Sequence, residues 1–256
     1  MQRTALRAAA EPLRRQAAID NTGFHSLRAH PMDKAINGDL SARVFADTTR
    51  MEWVSSPSGS VWRKRVHLVG PPESGQVTSV VRYEPNSHFP THDHPEGEEI
   101  LVLEGVFSDE YGDWSAGTYL LNPEGFRHTP FSKPGCRLFV KLRQFPGRGR
   151  RHVVVDTHEA AWEPSSIPGV CYKALYQQAG FSDVMRLERW EPDADPGILS
   201  YEQGAELFVL DGEFVDEAGT YSRGFRLRLP VGSKHHPRSP HGCTLYVKRS
   251  GLPYLR

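Results

Sequence analysis

The feature that most constrains this chain is that it repeats itself. Displaced by 107 residues, Gly97 to Lys141 aligns without a gap on Gly204 to Lys248, and 22 of the 45 positions are identical. GEEILVLEGVFSDEYGDWSAG faces GAELFVLDGEFVDEAGTYSRG. Upstream the displacement becomes 109, where VFADTTRMEW (Val44 to Trp53) faces VVVDTHEAAW (Val153 to Trp162). A repeat of this length predicts two similar bodies rather than one continuous core. The units run over 43–145 and 152–249, with the second domain continuing to residue 256. PGRGRR at 146–151 reads as a linker, and residues 1–42 as an N-terminal arm.

Within each unit the apolar runs are short and rich in β-branched or aromatic residues: VTSVVRY, EILVLEGVF and CRLFVKL, then ELFVLDGEF and CTLYVK. They read as strands. Turn signals such as EYGD, PEG and KPG separate them at roughly 8 to 12 residues, the rhythm of a sandwich or barrel. With 23 Gly and 20 Pro in the chain, many turns between short elements are expected, and long helices are not. The expectation is all-β, with one small antiparallel barrel per unit. Shared glycines such as Gly105/Gly212 and Gly117/Gly224 then hold turns and bulges.

Lys plus Arg number 31 and Asp plus Glu number 31, so no net field draws the chain to nucleic acid or to an anionic membrane. No apolar stretch approaches the roughly 20 residues that cross a bilayer. The partner expected is a small molecule bound at a local site, on a monomer or homodimer. Cys136, Cys171 and Cys243 form no CxxC pair, which fits a reducing, cytoplasmic setting and structural use of the thiols. Arg3, Arg7, Arg14 and Arg15 stand against Glu11 alone, so organelle targeting by residues 1–18 is an alternative to a short frayed helix.

The densest chemistry is HFPTHDHPEGEE, from His88 to Glu99. Side chains two apart on an extended chain share a face, so His92 and His94 point one way, Glu98 returns to that face and Glu99 points away. A bulge would exchange Glu99 for Glu98. His88 reads as pocket lining or surface. His128, in NPEGFRHTP, is the candidate fourth ligand, brought back by the EYGD and PEG turns. Imidazole nitrogen and carboxylate oxygen at this spacing suit one divalent Fe, Zn, Mn or Ni ion, while a lone HxH is also compatible with a solvated turn.

These residues carry a resemblance. HxHxxxExxxxxxG, filled by His92, His94, Glu98 and Gly105, resembles the first cupin motif, and GxxxxxPxGxxH, filled by Gly117, Pro123, Gly125 and His128, resembles the second. Asn86 stands where the first motif usually opens with Gly, and Ser132 where the second usually closes with Asn. GEEILVLEGVFSDE, GTYLLNPEG and GCRLFVKL are more narrowly similar to the cupin domain of the ChrR group. The resemblance implies two tandem cupin-type β-barrels, double-stranded jelly rolls. It also implies a metal, Fe(II) or Zn(II) before Mn(II) or Ni(II), on His92, His94, Glu98 and His128.

Two functions are implied. Acetylacetone-cleaving and dihydroxyacetophenone dioxygenases are similar to this group but use three His. On that pattern the chain is a mononuclear non-haem Fe(II) dioxygenase acting on a small enolisable, β-diketone-like carbonyl. Glu98 is then a fourth ligand or the catalytic base orienting a metal-bound water. Tyr83, Phe89, Phe107, Tyr119 and Arg143 are expected to line the pocket. ChrR-type anti-sigma factors carry a similar cupin with three His and one Glu on zinc, which implies a non-catalytic sensor or binding module. Their HxxxCxxC module has no counterpart in residues 1 to 50. In the second unit the ligand positions become Leu199, Tyr201, Ala205 and His235, so that barrel is expected to be metal-free. His235, His236 and His241 read as exposed loop histidines.

Overall fold

The computed structural model describes residues 35–256. Most of the arm, and with it the targeting and frayed-helix expectations, lies outside the described residues. The described chain is all-β apart from one 3-10 turn at Leu252–Tyr254. No helix among the described residues is long and apolar enough to cross a membrane.

Both repeats build the same large sheet. In the first, Glu98–Asp109 lies between Thr118–Asn122 and Cys136–Leu142, followed by Gln76–Tyr83, Val61–Val69 and Val54–Ser55. In the second, Ala205–Asp216 lies between Phe225–Leu229 and Cys243–Arg249, followed by Val184–Trp190, Val170–Tyr176 and Glu163–Pro164. These are the two jelly rolls expected, and among the described residues neither is closed into a continuous hydrogen-bonded barrel. The open side carries a separate two-stranded ladder: His92–His94 with Phe126–His128, and Leu199–Tyr201 with Ser233–His235.

The sequence boundary between the units is not the boundary in space. Val44–Asp47, the first strand of the first repeat, pairs with Phe225–Leu229 of the second. Reciprocally, Val153–Asp156 pairs with Thr118–Asn122 of the first. Each jelly roll therefore borrows its edge strand from the other of the two contiguous units, 43–145 and 152–256. The exchange satisfies an edge that would otherwise expose unpaired backbone groups. Lys64 and Lys173 lock it by donating from Nζ to the carbonyls of Thr48 and Thr157, the residues that follow the exchanged strands.

Three apolar clusters follow. One fills the first jelly roll around Ile100, Val102, Phe107 and Leu138, and one fills the second around Leu207, Val209, Phe214 and Leu245. The third lies between them and includes Phe139 stacked on Phe208, ring centroids 4.4 Å apart. Buried charge shares this interface: Lys141 Nζ lies 2.8 Å from Glu206 Oε2 and 3.7 Å from Glu99 Oε2.

One bulge sets the chemistry of the site. The register of Glu98–Asp109 against Cys136–Leu142 slips between Val102 and Glu104, leaving Leu103 as the extra residue. Before it, Ile100 and Val102 face the interior, and after it Phe107 does, so the inward parity changes from even to odd. Gly105, at φ 72°, is required beside it, because a Cβ there would come 2.1 Å from the carbonyl oxygen of Gly135.

Candidate metal centre

The ladder of His92–His94 with Phe126–His128 places His92 directly opposite His128. His94, two residues along, falls on the same face. One ring nitrogen from each of the three imidazoles lies within 4.8 Å of the others. His94 Nε2 and His128 Nε2 are 2.9 Å apart. Glu98 joins them from the head of its strand, with Oε2 3.3 Å from His94 Nε2 and 3.6 Å from His128 Nε2. Asn122, its cross-strand neighbour, fixes that oxygen by donating from Nδ2 at 2.9 Å.

The hydrogen bonds at the far side of two rings decide their tautomers. The Pro90 carbonyl, 2.9 Å from His92 Nδ1, can only accept, and so can the Asp109 carboxylate, 3.2 Å from His128 Nδ1. Both rings therefore carry a proton on Nδ1 and, when neutral, turn an Nε2 lone pair inward. Two lone pairs and a carboxylate oxygen converge beside His94 in a buried position, an arrangement that a divalent cation satisfies. The donor set fits a metal held by His92, His94 and His128, with Glu98 beside them. Burial lowers the pKa of His94. For His128, burial is outweighed by the hydrogen bond it donates to Asp109 and the charge of Glu98, and its pKa is raised.

The site opens onto a cavity of about 420 Å³ whose wall includes Tyr83, Phe89, Phe107 and Arg143, four of the five expected lining residues. Tyr119 is not among them. It stands opposite Leu101, whose parity faces the other repeat, and its hydroxyl donates to Glu99 at 2.8 Å. Glu99 also accepts from Tyr246 at 2.7 Å, so it belongs to the interface and not to the imidazoles. His88 is exposed, outside the cavity. Asn86, at φ 62°, adopts the left-handed backbone a glycine would give, and Ser132 Oγ holds the Val106 carbonyl at 2.5 Å.

Asp109 and Asn122 were missed by the sequence reading, although the repeat carried a signal for both. Asp109 and His128 persist together as Asp216 and His235, whose Oδ2 and Nδ1 lie 2.9 Å apart. Glu98 and Asn122 are lost together as Ala205 and Leu229, again cross-strand partners. His235 is thus buried and paired, not a loop histidine, and its Nε2 lies 3.4 Å from the Tyr201 hydroxyl. His236, half-exposed, lies against Asp195 at 2.6 Å. Cys136 and Cys243 begin equivalent strands, and burial pushes both thiols up to about 11, as inert core thiols require.

The family model for the ChrR Cupin-like domain matches this chain twice, over residues 41–146 and 150–253. No curated protein sequence matches it significantly. Among solved structures, a candidate dioxygenase from Nostoc punctiforme PCC 73102 is similar with a TM-score of 0.65 and 16% identity, over 81% of this chain and 82% of that one. Pirin YhhW from Escherichia coli, solved in complex with nickel(II), gives 0.60 and 15%, over 81% and 98%. A variant of oxalate decarboxylase OxdC from Bacillus subtilis gives 0.58 and 13%, over 80% and 76%. At these identities the likeness is one of fold.

Proposed function

Because the chain belongs to the ChrR Cupin-like family, we propose that it is a metal-dependent cupin enzyme, a mononuclear non-haem Fe(II) dioxygenase acting on a small enolisable, β-diketone-like carbonyl compound. The observation that carries this reading is that His92 and His94, two of the three imidazoles, form part of the wall of a 420 Å³ cavity together with Glu98, instead of the whole group being sealed in the core. Structural metal sites are closed, whereas catalytic ones keep a position for substrate.

His92, His94 and His128 hold the metal, and Glu98 is the fourth ligand or the base for the acidic C–H of the substrate. Bound there, Fe(II) supplies Lewis acidity toward the carbonyl and redox chemistry with dioxygen. The protein does the rest. Asn122 keeps the Glu98 carboxylate aimed at the imidazoles, and Asp109 keeps the His128 lone pair inward. Tyr83, Phe89 and Phe107, packed edge to face, form an apolar wall that excludes water from a carbanion-like substrate. Arg143 makes no ion pair among the described residues and offers its cation to an enolate oxygen.

The test is oxygen consumption by Fe(II)-loaded protein with acetylacetone and related diketones. Uptake is expected, and none beyond that of the His92→Ala variant would overturn the reading. The nearness of Glu98 to two imidazoles favours a second one, a four-donor zinc site in a non-catalytic sensor or binding module. About one zinc per chain in untagged protein, with no oxygen uptake after iron loading, would select it.

A further inference from the structure

A second cavity, of about 730 Å³, lies where the two repeats meet and contains none of the imidazoles of the metal centre. Much of its apolar lining comes in repeat-related pairs, among them Val80 with Leu187, Leu101 with Phe208, and Leu103 with Leu210. The cavity therefore straddles the internal two-fold that relates the jelly rolls, and duplication alone would make it symmetric.

Charge breaks that symmetry. Arg137 replaces what is Thr244 in the other repeat, and Arg223 replaces what is Ala116. Both guanidiniums converge on the single Glu104 carboxylate, Arg223 Nη2 at 3.4 Å from Oε1 and Arg137 closer still. Lys64, 7% exposed, donates to the Thr48 carbonyl at 2.7 Å and lies 4.4 Å over the Trp53 ring, with no carboxylate partner among the described residues. The lining thus holds three of these cations against one carboxylate, Glu104, which only the two guanidiniums reach. The crowding is visible in their basicity. Burial, then the neighbouring Arg137 and Arg82, lower the pKa of Lys64, though Asp47 and Glu52 act more weakly in the opposite sense. Burial, then Arg223 and Arg82, lower that of Arg137.

We propose that this cavity binds a small organic carboxylate with an apolar tail. The tail covers the six paired apolar side chains, and the carboxylate meets the Arg137 and Arg223 guanidiniums, taking up the cation excess that Glu104 leaves. The volume lies within the range of about 300–1,000 Å³ that accommodates small ligands. A neutral apolar ligand would leave the cation excess uncompensated, and an inorganic anion would leave the apolar floor wet.

Calorimetric titration of the full chain with decanoate tests this. One saturable site per chain is expected, with decanol and acetate each binding at least about tenfold more weakly. The double variant Arg137→Gln, Arg223→Gln, altered only at the cavity rim, should lose about tenfold or more in affinity. The double variant His92→Ala, His128→Ala should bind decanoate as the parent does, which separates this site from the metal centre. Absence of saturable binding, equal affinity for decanol and decanoate, or loss of binding in the histidine variant but not in the arginine variant would each overturn the proposal.

Discussion

Glu206→Gln tests whether the charge buried between the repeats holds them together. The Glu206 side chain is 2% exposed, lies 2.8 Å from Lys141 Nζ, and accepts from Arg226 Nε at 2.7 Å. Neutralising it leaves Lys141 with Glu99 at 3.7 Å and leaves the fully buried Arg226 with only a neutral amide oxygen. One unit pair at this separation is worth about 6 kcal/mol at an effective dielectric of ~20, before desolvation is subtracted. Breaking a buried pair from one side costs about 3–5 kcal/mol, because the partner cation stays behind. At roughly 2–4 °C per kcal/mol for a chain of this size, the melting temperature should fall by roughly 6–20 °C by scanning calorimetry. The triple variant Lys141→Met, Glu206→Leu, Arg226→Met removes both signs and should recover most of that loss.

The pH dependence carries the same signature. Burial alone would raise the Glu206 pKa, yet Arg226 and Lys141 hold it far below the usual carboxylate range. A depressed folded-state value means stability that is present above the unfolded pKa of ~4.3 and is lost as the pH falls below ~5. The parent should therefore lose more stability between pH ~5 and ~3 than Glu206→Gln does. A fall in melting temperature under about 3 °C, or identical acid profiles, would refute the argument.

Lys248, fully buried with Nζ 4.0 Å from the Phe145 ring centroid, makes no hydrogen bond to the described residues, and burial lowers its pKa to about 8. Lys248→Met should stabilise the protein at pH 7 by about 1–3 kcal/mol in urea unfolding. Between pH about 8 and about 10.4 the unfolded chain binds the extra proton, so the parent should catch up as pH rises, and a constant gap would contradict this. Asp109→Asn should weaken metal binding about 10–100-fold in competition with a chelator, and unchanged affinity would show that His128 needs no partner. Because each large sheet borrows an edge strand, the two repeats should unfold in one calorimetric transition with matching van't Hoff enthalpy; two resolved transitions would count against coupling.

The linear order of residues determined the duplication, the β class and the meeting of His92, His94, Glu98 and His128, because each rests on local chemistry: turn glycines, period-two alternation and the spacing of ligating side chains. It also carried the loss of three of those four in the second repeat. Alternation alone does not place two side chains that matter. Strand position puts Tyr119 in the pocket, whereas its cross-strand neighbour Leu101 faces the other repeat. Asp109, eleven residues beyond Glu98, should lie on the opposite face, and only the bulge at Leu103 turns it inward beside His128.

Tertiary structure alone decided the strand exchange, the buried charge between the repeats and the cavity on the internal two-fold. Each depends on which surfaces of two similar bodies meet. Nothing in a single strand's pattern distinguishes an edge satisfied by its own repeat from one satisfied by the other, since both choices bury the same alternating side chains and pair the same backbone groups.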